Sequence, residues 1–151
     1  MPLRQILLAG LGGGTALLVI GLLAAISGMP LILGSLGASC VLVFGFPAGP
    51  FSQPRAVIGG HLLASAVGLA VLHLGGDGPI GLAIATGGAT AAMMLLRVVH
   101  PPAGSNPVII HLLHPSWGFI IPTLAGAVLI VVVALIFINA TRTSRYPQYW
   151  L

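Results

Sequence analysis

The chain has 151 residues, of which 58% are hydrophobic and only 4% charged, and its net charge is +4. A soluble domain carries about a quarter charged residues on its water-facing surface. A mean hydropathy of +1.15 therefore excludes a soluble enzyme or binding module and identifies an integral membrane protein. The charge comes from Arg4, Arg55, Arg97, Arg142 and Arg145 against Asp77 alone. Arginines at span ends orient a membrane protein, so nucleic acid is not an expected partner and the lipid bilayer is.

The first apolar run, Gln5 to Ile26, is longer than the 7–15 residue core of a signal peptide and close to the length of about 20 that crosses hydrocarbon. It reads as a retained span, approximately Gln5–Ser27. A second stretch, Pro30–Phe46, is short and rich in small residues, and holds the lone cysteine, Cys40. It ends at Pro47-Ala48-Gly49-Pro50-Phe51-Ser52-Gln53-Pro54, where the prolines forbid a continuous helix. A third span, Arg55–Leu74, follows directly. Gly75-Gly76-Asp77-Gly78-Pro79 is a turn, with Pro79 suited to the first position of the fourth span, where its missing N–H costs nothing.

The fourth span runs to about Val99 and meets a second break, His100-Pro101-Pro102-Ala103-Gly104-Ser105-Asn106-Pro107. The short apolar piece Val108–Leu113 and the breaker His114-Pro115 precede a last span over roughly Trp117–Asn139. Trp117, Tyr146, Tyr149 and Trp150 are placed as interfacial anchors. Five spans would put Arg142 and Arg145 on the side opposite Arg4, against the positive-inside rule. If Val108–Leu113 belongs to a re-entrant excursion, or the second stretch is a half-span, the count becomes four or six.

The two halves echo one another. Gly37-Ala38-Ser39 matches Gly88-Ala89-Thr90, Ser52-Gln53-Pro54 matches Ser105-Asn106-Pro107, and His61-Leu62-Leu63 matches His111-Leu112-Leu113. The expected architecture is thus an all-α polytopic transmembrane bundle with two internal repeats and two Pro-rich helix breaks, in one domain over residues 1–151. Its parts are a first span over about 1–28, repeat A over 30–74, repeat B over 79–139 and a C-terminal tail over 140–151. Small residues at four-residue spacing, Gly10/Gly14, Gly60/Ala64/Gly68 and Gly118/Pro122/Gly126, would let helices pack closely or mate between subunits. About five short helices hardly enclose a hydrated path, so a homo-oligomer is expected.

Paired interrupted segments in two halves of a membrane protein point to a transport site. Helices starting at Pro54 and Pro107 would expose N–H groups and positive dipole ends there. Ser52, Gln53, Ser105 and Asn106 would cap them or donate to a small anion, and Arg55 and Arg97 would attract it. The poverty of acidic side chains suits an anion path, since cation channels recruit Asp or Glu rings. It also excludes paired acid–base chemistry, so no enzyme is expected. Among five histidines, His100 at the head of the break is the candidate for protonation-dependent control, with the others packed or interfacial. Their spacing has no zinc pattern, and no metal or other cofactor is expected.

The residues His-Pro-Pro-Ala-Gly at His100–Gly104, with Gly37-Ala38-Ser39 through Gln53-Pro54-Arg55 and Gly59-Gly60-His61, resemble the two conserved blocks of the HPP family of small bacterial and plastid membrane proteins. The resemblance covers roughly Pro30 to Leu113. It implies a multi-pass protein of a bacterial inner membrane and, since some members are linked to nitrite transport, a transporter or channel for a small inorganic anion such as nitrite. The alternative is a non-transporting assembly or interaction subunit. The Ser105-Asn106-Pro107 continuation departs from other members.

Overall fold

The computed structural model describes residues 2–143 and 145–150, and among these every regular element is helical. Six α-helices follow in order: α1 (Leu3–Ser27), α2 (Gly34–Gly45), α3 (Pro54–His73), α4 (Gly78–Leu95), α5 (Asn106–Leu113) and α6 (Ile120–Thr141). Four of the helical stretches, α1, α3, α4 and Trp117–Thr141, are long and apolar enough to cross a membrane. The protein is a multi-pass membrane protein.

Local chemistry sets each boundary. Gly28 closes α1 in the left-handed conformation (φ +67) with its N–H on the Ala24 carbonyl, and Pro30 then prevents the helix from continuing. Met29–Leu33 is consequently not helical, and α2 begins four residues later than the apolar run at Pro30 suggests. Pro54 opens α3 from an extended Gln53. Asp77 caps α4 by accepting the Gly78 N–H at 2.7 Å. That hydrogen bond, with His114 at 3.2 Å, holds the Asp77 carboxyl below the usual carboxylate range.

At the far end α4 stops at Leu95 rather than at about Val99. Arg97 turns left-handed (φ +57), and the Val98 and Arg97 N–H groups return to the carbonyls of Met93 and Met94. This two-bond closure normally has glycine at its left-handed position.

Contacts between elements give the path. The Arg4 guanidinium donates to the Thr141 carbonyl, so α1 starts where α6 ends. A Cβ on Gly13 of α1 would touch Cys40 of α2, Arg55 at the start of α3 donates to Leu96 after α4, and Arg142 donates to the Phe44 carbonyl near the end of α2. The opposite end gathers Asp77, His114, His73 and Trp117. Pro107 and Ile110 of α5 lie against Gly68 of α3, and His111 reaches the Gly76 carbonyl, so α5 runs alongside α3 toward the aspartate end. The chain therefore passes between the two ends six times. Two of the passes are interrupted: extended chain leads into α2, and the Val98–Ser105 segment leads into α5.

This even count brings all five arginines to one end, which resolves the conflict that five spans create. The element order helix, short 3-10 turn, helix recurs in the two halves, but the long member changes place: α2 has 12 residues and α3 has 20, whereas α4 has 18 and α5 has 8. The main core joins α1, α2 and α6 around Ile20, Leu36, Phe44, Ile130 and Ile138. The small-residue ridge on α3 is used internally, Gly60 against His100 and Gly68 against α5. On α1 the close contacts fall on Gly12 and Gly13, and Gly10 and Gly14 face open space. Of the expected interfacial anchors, Tyr149 and Trp150 are exposed, whereas Tyr146 is buried.

Candidate functional site

The two proline breaks meet. His100, heading the second, is fully buried and donates from Nδ1 to the carbonyl of Phe51, in the first, at 2.7 Å. A carbonyl only accepts, so this contact fixes the Nδ1 proton and leaves Nε2 of the neutral ring as a lone pair. That atom lies 2.8 Å from the Ser39 hydroxyl of α2. Ser39 in turn lies 2.9 Å from His61 Nε2 on α3 and 2.8 Å from the Ser35 carbonyl. The two imidazoles sit 5.2 Å apart between centroids.

On the other side of His61, Asn106 at the start of α5 places Nδ2 at 3.1 Å from His61 Nδ1 and 2.9 Å from the Ser65 hydroxyl. Ser39, His61, Ser65, His100 and Asn106 are all fully buried. With about 1.5 Å rise per residue, His61 and Ser65 lie roughly 10–16 Å along a helix of about 30 Å, which puts the cluster near mid-bundle. Every polar atom there has a partner except Asn106 Oδ1. A bare buried carbonyl oxygen costs about 1–3 kcal/mol, and one turn before Ser39 on α2 the buried Ser35 Oγ is bare as well.

Above the cluster, at the arginine end, an open pocket of about 390 Å³ is lined by Phe51, Arg55, Met94, Arg97 and Tyr149 among others. Arg55 is exposed, with one guanidinium nitrogen held by the Leu96 carbonyl at 3.0 Å. Arg97 is exposed in its left-handed turn, and its guanidinium makes no hydrogen bond or ion pair among the described residues. A left-handed arginine costs about 1–2 kcal/mol relative to glycine, and such strain is found where a side chain has work to do.

The other sequence candidates play different parts. Gln53 is fully buried at the wall of this pocket and does not cap α3. Its amide nitrogen donates to the carbonyls of Pro47 and Gly49, and its oxygen accepts the Gln148 N–H. Ser52 donates to Leu42, and its carbonyl accepts the Tyr146 hydroxyl at 2.9 Å. Burial pushes the Tyr146 phenol up, so it stays a donor. These residues tie the first break to the C-terminal tail. Ser105 donates to Pro102 and leaves α5 uncapped.

Gln53→Ala removes three hydrogen bonds of a buried clamp and is expected to lower stability by about 2–4 kcal/mol. A detergent melting curve measures this.

Sequence reading finds His100 and Asn106 from the break, but it passes over Ser39, Ser65 and the role of His61. The available signal is the His61/Ser65 pair, four residues apart and hence on one face of an apolar helix. His111, the sequence counterpart of His61, lies elsewhere, bonded to the Pro107 and Gly76 carbonyls. Thr90, the counterpart of Ser39, bonds within its own helix.

The profile of the family described as HPP, transmembrane region, matches residues 1–147. A transmembrane protein of Dictyostelium discoideum is 33% identical over 131 residues, covering 81% of this chain and 46% of the relative. A second Dictyostelium discoideum transmembrane protein is 32% identical over 128 residues, covering 79% and 41%. The chain thus spans less than half the length of the curated relatives it matches. No solved structure matches. The match along nearly the whole length, with both proline breaks inside it, makes this chain a member of the HPP transmembrane family.

Proposed function

We propose that the protein is a transporter for a small monovalent inorganic anion, with nitrite the first candidate, in a bacterial inner membrane, and that it is not an enzyme. One observation carries the reading: the two interrupted passes meet at a buried polar cluster, below a pocket lined by Arg55 and Arg97. Interrupted helices at mid-bundle are how transporters expose polar groups to a substrate away from lipid. Arg97 draws the anion to the pocket, and Asn106 donates to it at the cluster. Moving a monovalent anion against an interior-negative potential costs about 2.3 kcal/mol per 100 mV, so inward passage needs a driving gradient or proton coupling. Imidazole is the side-chain type whose free form titrates near neutrality, so the histidines are the candidates to carry a coupled proton.

Flux of nitrite, nitrate, formate and chloride into proteoliposomes tests the reading. Arg97→Gly is expected to weaken apparent affinity for the transported anion several-fold. The same variant raises stability by about 1 kcal/mol, because glycine occupies the left-handed position without strain. Unchanged affinity in this variant assigns Arg97 to topology alone.

The working unit is proposed as a homo-oligomer. Ala83, Gly87 and Ala91 form an exposed small-residue face on α4, and nothing lies within 4 Å of a Cβ on Gly87. Such a face lets helices of neighbouring subunits approach closely. The positive-inside rule places the arginine end in the cytoplasm. In a Cys40→Ala background, a cysteine at position 87 is expected to cross-link between subunits, and one at position 143 to label only from the cytoplasmic side. A monomer, or labelling from outside, contradicts these assignments.

A further inference from the structure

We infer that anion binding at the mid-bundle cluster is coupled to protonation of His61 through rotation of the Asn106 amide; the inference rests on the anion-transport reading. It follows from counting protons along one chain of contacts. His100 Nδ1–H is committed to the Phe51 carbonyl, which leaves His100 Nε2 to accept from the Ser39 hydroxyl. Ser39 then accepts from His61 Nε2–H, and His61 Nδ1 accepts from the Asn106 amide nitrogen. The single Ser39 hydroxyl proton has two acceptors at 2.8 Å, the Ser35 carbonyl and His100 Nε2; with that proton donated to His100 Nε2, the committed Nδ1–H sets the direction of the other bonds. In this neutral state the Asn106 oxygen is bare, and a bare carbonyl oxygen repels an anion.

Adding a proton at His61 Nδ1 reverses the outcome. Two N–H donors would then face each other across 3.1 Å, which the amide relieves by turning over. Its oxygen now accepts from His61 Nδ1–H and from the Ser65 hydroxyl, giving up the weak 3.4 Å contact of Nδ2 with the His61 carbonyl, and its NH₂ group points where the bare oxygen was. The site gains a donor and a nearby imidazolium in one step, and both favour an anion. The added proton has a second resting place: His61 Nε2–H passes its proton to Ser39, and Ser39 passes its own to His100 Nε2. The proton comes from water with the anion and leaves with it, so the loaded cluster is electrically neutral.

The groups packed around the cluster do not compete for this proton. Alpha-helix α2 brings Ser35 and Ser39, the first break brings the Phe51 carbonyl, α3 brings Ser65, and α5 brings Asn106. Cys40, beside Ser39 in sequence, faces Gly13 of α1. Arg55 and Arg97 line the pocket on whose wall Phe51 sits.

The test mixes purified protein in weakly buffered detergent with sodium nitrite or sodium nitrate at matched pH and records proton uptake. The wild type is expected to take up about one proton per anion bound, with affinity falling about tenfold per pH unit above the titration of the cluster. His61→Gln should bind weakly, with no proton uptake and no pH dependence. In wild-type protein with ¹⁵N-labelled histidine, adding the anion at fixed pH should convert one neutral imidazole to imidazolium, which decides the matter if His61→Gln fails to fold. Anion binding without proton uptake and without a new imidazolium overturns the coupling and leaves the transport reading standing. No binding of either anion to the wild type overturns both.

Discussion

Gly60→Ala is expected to destabilise the protein by about 1–3 kcal/mol, the cost of forcing an extra group into a filled site, and to reduce anion flux with it. A Cβ at position 60 would lie 2.6 Å from the His100 Cβ and 3.0 Å from the Val98 carbonyl. Neither neighbour is the free end of a flexible side chain. The second break has to move away from α3, which lengthens the 2.8 Å contact between His100 Nε2 and Ser39 and breaks the chain of hydrogen bonds. Gly10→Ala makes the contrast: nothing lies within 4 Å there, and alanine in a helix interior is favoured over glycine by about 0.5–1 kcal/mol. Melting curves of the two variants in one detergent should shift in opposite directions. A stable, fully active Gly60→Ala protein contradicts the packing of the break against α3.

His100→Ala is expected to cost about 3–5 kcal/mol. It leaves the Phe51 carbonyl and one side of Ser39 without partners in a buried site, at about 1–3 kcal/mol each, and adds a cavity. His100→Gln separates this structural part from the protonic one. Glutamine can donate to Phe51 and accept from Ser39, so most of the stability returns. It cannot hold a proton, so the pH dependence of flux moves toward acid, because the added proton has lost its second resting place. His61→Gln instead removes the pH dependence. If His100→Gln keeps the wild-type pH profile, the proton does not reach His100.

These expectations differ in emphasis from what the bare sequence suggests, and the difference has a physical source. The breaks, the turn at Gly75–Pro79 and the apolar spans are legible because proline, glycine and long apolar runs act locally. Which histidine carries the exchangeable proton is not local. His100 heads the most conspicuous segment, yet its Nδ1 is committed to a carbonyl 49 residues away. The partners of Ser39 lie 22 and 61 residues from it, and in sequence it is one serine in an apolar helix.

Gln53 shows the opposite case. A polar residue before a helix-opening proline reads as a cap or a ligand donor, but its oxygen is taken by the Gln148 N–H from the tail, a contact no local pattern announces. The span count was likewise undecidable from hydropathy alone. Two passes are completed by non-helical chain, and only the contacts of α2 and α5 with their neighbours reveal them.

Nitrite accumulation in proteoliposomes under an imposed inward proton gradient decides whether this protein moves the anion together with a proton. Uptake is expected to run with the proton gradient, to collapse when the gradient is dissipated, and to be lost in His61→Gln. Wild-type vesicles that take up nitrite, nitrate, formate and chloride no faster than protein-free vesicles would contradict this expectation.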